Sequence, residues 1–159
     1  MPSLYLEDFQ PGQRFTSGGR TLTETDLTMF SMLSGDWNPI HADAEFARHT
    51  RYGQRLVHGT LGIALCTGML HQLGIFEHSV IAMLGLRQWE FKQPILVGDT
   101  LHLELEILTV EAGKSGRSGK LGRRFRLLNQ RGEVAQEGDS EVLVLTREGA
   151  RQQAQSVQS

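Results

Sequence analysis

With 159 residues, of which 39% are hydrophobic and 21% charged, the chain is long enough to bury one real core and short for two independent domains. A formal net charge of −2 argues against a general nucleic-acid binder. No stretch approaches the roughly 18 apolar residues of a membrane span, and "MPSLYLEDFQPGQRF" shows no basic region followed by an apolar run, so no signal peptide is read and a cytoplasmic protein is expected.

The first predicted element is a helix over "TETDLTMFSMLSGD", with Thr23 as its cap, Asp26 three residues on, Leu27, Phe30 and Leu33 at helical spacing, and Gly35 as the stop. Asp36 then falls just past a helix end, in a loop stiffened by Asn38-Pro39. "DAEFARHT" follows as a short helix capped by Asp43. Residues 59–73, "GTLGIALCTGMLHQL", are apolar over about four turns, too short to span a bilayer and too uniform for a surface helix. They predict a buried central helix carrying the only cysteine, Cys66, as an inert thiol.

Beyond this point the period changes to two. "TLHLELEIL" puts Leu101, Leu103, Leu105 and Ile107 on one face and His102, Glu104 and Glu106 on the other. "VIAMLGLRQWEF", "RRFRLL" and "EVLVL" read as further strands, with "NQRGE" as a hairpin turn. "GKSGRSGKLG" reads as a mobile loop between two strands. A helix followed by successive strands implies an α+β domain over residues 1–147 whose antiparallel sheet covers the apolar helix. Residues 148–159 are polar and read as a disordered tail.

The segment "SGDWNPIH" carries the chemistry, because a carboxylate and an imidazole five residues apart on a stiff loop can converge on one water. The same residues also suit a plain turn, with Asp36 accepting loop hydrogen bonds and His41 packing. Asp36, His41, Asp43, His49 and His58 lie close in sequence, yet no spacing matches a HExxH helix, and one cysteine cannot make a CxxC site, so no metal is expected. No GxSxG nucleophile elbow occurs.

"FSMLSGDWNPIHADAEFA" (Phe30 to Ala47), followed by "YGQRLVHGTLG" (Tyr52 to Gly62), resembles the MaoC-like (R)-specific enoyl-CoA hydratase family, and the likeness continues in "FKQPILVGDTLHLELEIL". The resemblance implies a hot-dog fold, a long central helix wrapped by an antiparallel β-sheet, and a homodimer or higher homo-oligomer with the acyl-CoA near the subunit boundary. It implies a lyase that reversibly hydrates a trans-2-enoyl-CoA to a 3-hydroxyacyl-CoA of R configuration, without a cofactor. Carried over by position, Asp36 and His41 match the catalytic dyad, and Gly59 matches the glycine whose N–H polarises the thioester carbonyl. Thr67 falls where the family often carries a serine; its hydroxyl either orients Asp36 or the water, or bonds its own helix backbone. Asn38 shapes the loop by turn hydrogen bonds and helps orient the site, and His58 either touches the CoA or serves as the start of the helix.

Lys114, Arg117, Lys120, Arg123, Arg124 and Arg126 read either as a solvated hairpin or as contacts to the CoA phosphates. Arg87, near Trp89, is the candidate for a second carboxylate on a branched or dicarboxylic substrate. Two rival functions stand beside the hydratase: a hot-dog acyl-CoA thioesterase, since fold does not fix chemistry, and a non-catalytic acyl-CoA-binding protein.

Overall fold

The structure is a computed structural model and describes residues 2–157. Two short strands, β1 (Arg14–Thr16) and β2 (Arg20–Thr21), lead into helix α1 (Glu24–Ser34). Thr23 and Asp26 form the expected capping box, and Gly35, at φ 74°, ends the helix in the left-handed region that glycine adopts without strain. Helices α2 (Pro39–Ala42) and α3 (Ala44–Arg48) follow, and then the long helix α4 (Gly59–Gln72). Four long strands come next: β3 (Val80–Phe91), β4 (Thr100–Ala112), β5 (Ser118–Leu128) and β6 (Val134–Leu145).

The strands form one antiparallel sheet in the order β1-β4-β5-β6-β3, with β2 also on β4. The period-two reading of β4 holds: Leu101, Leu103, Leu105 and Ile107 are fully buried. They pack beneath α4, which presents Leu61, Leu65, Cys66 and Met69 to the sheet. The opposite face of α4, with Thr60, Ala64, Thr67 and Gly68, is exposed, so the helix is covered on one side within this chain rather than all round. Burial pushes the Cys66 thiol up to about 12. Cys66 is therefore expected to stay unreactive toward a thiol-titrating disulfide at neutral pH and to react stoichiometrically once the chain is unfolded.

Two sequence expectations change and a third narrows. The predicted tail begins as helix α5 (Arg147–Val157): Thr146 Oγ1 accepts from the Gly149 N–H, Glu7 accepts from the Arg147 N–H, and the Arg147 guanidinium reaches Asp8. Glu7 and Asp8 lie about 140 residues away in sequence, so local composition did not show them; the last two residues of that predicted tail lie outside the described residues. The glycine-rich loop is shorter than expected, because β5 already starts at Ser118. A Cβ at Gly119 would sit 2.3 Å from the Glu111 carbonyl, and one at Gly122 2.4 Å from Thr109 Oγ1, so these glycines serve close strand approach rather than mobility. Finally, the basic group lies on the β4–β5 hairpin, with Lys114, Arg117 and Lys120 exposed, as one of its two readings had it, and none of its six residues lines the cleft beside Asp36 and His41. Lys120, Arg124 and Arg126 pair across strands with Glu111, Asp139 and Glu137. Arg123 turns inward between the rings of Phe76 and Phe125, 5.1 Å from each centroid, where burial pulls its guanidinium down to about 10.

Candidate active site

A chain of short local bonds builds the loop after α1. Ser34 Oγ accepts from the Asp36 N–H at 3.2 Å, Asp36 Oδ1 from the Asn38 N–H at 3.2 Å, and Asn38 Oδ1 from the Ile40 N–H at 3.2 Å. Asn38 thereby caps α2, with Pro39 in its first turn. This loop fixes Asp36 with Oδ2 free to face His41 and His58. Asn38 shapes the loop as expected and is absent from the pocket wall.

His41 Nδ1 lies 2.6 Å from the Leu56 carbonyl. A carbonyl only accepts, so Nδ1 carries the hydrogen and, in the neutral ring, the Nε2 lone pair points at Asp36. The Nε2–Oδ2 distance is 3.8 Å, too long for a direct bond and a span that one water can bridge. His58 is only 2% exposed and stacks on the His41 ring with centroids 3.8 Å apart. Its Nε2 lies 3.0 Å from the Asp36 main-chain carbonyl and 3.3 Å from Ser31 Oγ. His58 therefore buttresses both members of the pair from below, a role that "VHG" in the sequence left open.

The ligand-type atoms of Asp36, His41 and His58 lie within 4.8 Å of one another. His58 Nε2–H faces the Asp36 main-chain carbonyl, and among the described residues His58 Nδ1 is buried without a hydrogen-bond partner.

These residues line a cleft of about 820 Å³ that runs to the start of α4 and to Phe91, Gln93, Pro94 and Gln136. His58 precedes the helix without a side-chain cap, and among the described residues neither the Gly59 N–H nor the Thr60 N–H has a hydrogen-bond partner. Unpaired N–H groups at a helix N-terminus, at the positive end of its dipole, suit a developing negative oxygen. The Phe91 ring lies against Gly59, where a Cβ would come within 2.7 Å of Cε1.

Thr67 does not join this group within the chain: it lies on the exposed face of α4 and donates to the Ala64 carbonyl at 2.7 Å. Arg87 is also outside the cleft, paired with Glu141 at 2.7 Å. Sequence reading missed Arg51 and Tyr52 at the cleft and the buried Gln136 in its wall. Gln136 was detectable, because the inward period of β6 through Val144, Val142, Ser140 and Gly138 ends on it.

A family model described as "MaoC like domain" matches residues 8–124. The chain belongs to the MaoC-like family. Among MaoC-like relatives, "Protein MaoC" of Klebsiella aerogenes is 37% identical over 101 residues, 64% of this chain but 30% of that protein. The chain thus spans under a third of that relative. The (R)-specific enoyl-CoA hydratase of Aeromonas caviae is 31% identical over 117 residues, 74% of this chain and 82% of that one. A crystal structure of the MaoC-like dehydratase from Rhodospirillum rubrum superposes with a TM-score of 0.81 at 29% identity, covering 91% of this chain and 99% of that chain. The fold is the hot-dog, shared at a TM-score of 0.75 and 22% identity with a Mycobacterium tuberculosis protein described as a double hot-dog, over 91% of this chain and 44% of that one.

Proposed function

We propose that this MaoC-like protein is a hydro-lyase that adds water reversibly to a trans-2-enoyl-CoA, giving a 3-hydroxyacyl-CoA of R configuration. The observation that carries the reading is the 3.8 Å gap between Asp36 Oδ2 and His41 Nε2, opening on the same cleft as the unpaired N–H groups of α4. In this mechanism a water sits between carboxylate and imidazole, which take up its proton as its oxygen bonds to C3. The C2–C3 π pair moves toward the thioester, and the carbonyl oxygen gathers negative charge against the unpaired N–H groups of Gly59 and Thr60. Asp36 and His41 return that proton to C2, so atoms and charge balance without a cofactor.

The reaction is tested by following loss of the conjugated enoyl-thioester absorbance over a panel of trans-2-enoyl-CoAs, with free thiol measured in parallel. Hydration without thiol release is the expected result. Thiol release would identify a thioesterase, and binding of CoA esters without turnover would identify a non-catalytic binder.

Arg51 supports the CoA part of the reading. It lines the cleft, its guanidinium lies 4.8 Å from the centroid of the Tyr52 ring and donates to Tyr52 Oη at 2.6 Å, and among the described residues it makes no ion pair with a carboxylate. A charge-assisted bond to a phosphate is worth about 1.5–3 kcal/mol. Arg51→Ala is therefore expected to raise KM for an enoyl-CoA by about 10-fold or more, while KM for the phosphate-free N-acetylcysteamine thioester stays unchanged.

We also propose a homodimer built along β3. This strand is an open sheet edge, and Val80, Ile81, Met83 and Leu84 are each about half exposed, on both of its faces. An edge with both faces apolar is one that a partner covers. Light scattering of the purified chain tests this, and a monomer at micromolar concentration would refute it.

A further inference from the structure

We propose that Gln136 and Trp89 are positioning residues for the N-terminal turn of α4, acting through the Gly59 carbonyl; this rests on the hydratase reading above. Gln136 is 2% exposed and donates from Nε2 to the Gly59 carbonyl at 2.9 Å. Its orientation is settled by Trp89, whose indole N–H can only donate and reaches Gln136 Oε1 at 3.1 Å. The amide nitrogen therefore faces the helix, and the carbonyl it meets belongs to the same peptide as the Thr60 N–H. A peptide whose C=O accepts a hydrogen bond becomes a better donor at its N–H, because the two dipoles polarise one another. That N–H is unpaired and opens the helix beside Gly59.

Three separate features of the chain make room for this contact, each at a cost. A Cβ at Gly62 would lie 2.2 Å from Gln136 Nε2, so only glycine lets the amide lie flat on the first turns of α4. A Cβ at Gly138 would lie 2.4 Å from Trp89 Cε3, so a second glycine seats the indole. Between Arg87 and Glu90 the pairing of β3 with β6 shifts register, and Gln88 within that bulge has φ 48°, a left-handed conformation that a non-glycine residue adopts at a cost. The bulge re-aims Trp89 onto Gln136. A helix glycine, a strand glycine and a strained backbone residue all converge on one amide beside the proposed oxyanion position.

The test combines three variants with a readout of carbonyl polarisation. Gln136→Leu keeps the volume and removes the donor, and is expected to lower kcat for enoyl-CoA hydration by about 10-fold with KM changed less than about threefold. Trp89→Phe is expected to lower kcat by a smaller factor and to add nothing in the Gln136→Leu background, since both act through one contact. Gln136→Glu is expected to create a new pH dependence: the protonated carboxyl donates and supports turnover at low pH, whereas the carboxylate opposes the negative thioester oxygen and turnover falls as it ionises. Independently of turnover, the thioester carbonyl stretch of a bound saturated acyl-CoA, read by infrared difference, is expected to shift to lower frequency in the wild type and less in Gln136→Leu. An unchanged kcat in Gln136→Leu, or an unchanged carbonyl shift with no new pH limb in Gln136→Glu, would overturn the inference and leave the hydratase reading standing. A wild type that binds acyl-CoA without hydrating it would sink the hydratase reading, and the carbonyl shift would still decide the part played by Gln136. A wild type that neither binds nor hydrates acyl-CoA would refute both.

Discussion

Asp36→Asn and His41→Asn are each expected to lower kcat for enoyl-CoA hydration by about 10²- to 10⁴-fold, the range set by the loss of one acid–base partner. Both substitutions are chosen so that the loop survives. An asparagine at 36 keeps an oxygen to accept from the Asn38 N–H, and the contact to His58 Nε2 uses the main-chain carbonyl, which no side-chain change removes. An asparagine at 41 places an amide N–H near the position of Nδ1, so the bond to the Leu56 carbonyl can persist while the Nε2 lone pair is lost. Thermal unfolding close to that of the wild type, with kcat collapsed and KM little changed, would show that the pair acts on the reaction rather than on the fold. The double variant is expected to be no slower than the worse single one, because a water held by two groups is lost when either fails. Full hydration activity in both single variants would remove the dyad from the mechanism.

How much of this was legible in the sequence follows from the range of the forces involved. The capping box of α1, the stop at Gly35 and the alternation of β4 depend on neighbours within a few residues, and each stands where the pattern put it. What escaped depends on distant partners. Nothing local distinguishes "VIAMLGL" buried in its own core from the same residues exposed along an edge, as Val80, Ile81, Met83 and Leu84 are. The helix of the tail needs Glu7 and Asp8, and the glycines of β5 answer to Glu111 and Thr109 across the sheet. The same division runs through the site. The motif singled out Asp36, His41, His58 and Gly59, and the structure gathers all four at one cleft. Gln136 carries no motif and shows itself only as a polar residue on the buried phase of β6.

Gly59→Ala is expected to lower kcat/KM for enoyl-CoA hydration by about 10²-fold, close to the loss of one oxyanion donor, while leaving the fold as stable as before or more so. The stability side is plain: Gly59 is the first residue of α4 and has no positive φ, so alanine fits the backbone and gains up to about 1 kcal/mol of helix propensity. The added Cβ meets the Phe91 ring at 2.7 Å, but Phe91 is 58% exposed and free to swing aside. The catalytic side is different, because the thioester oxygen must approach the Gly59 N–H along the wall that the methyl group thickens. The double variant Gly59→Ala/Phe91→Ala separates the two effects. If crowding of the carbonyl is the cause, removing the ring leaves the rate low; if the displaced ring blocks the cleft, removing it restores turnover. A melting temperature that holds or rises while turnover falls is the signature of a residue kept small for the substrate rather than for the fold.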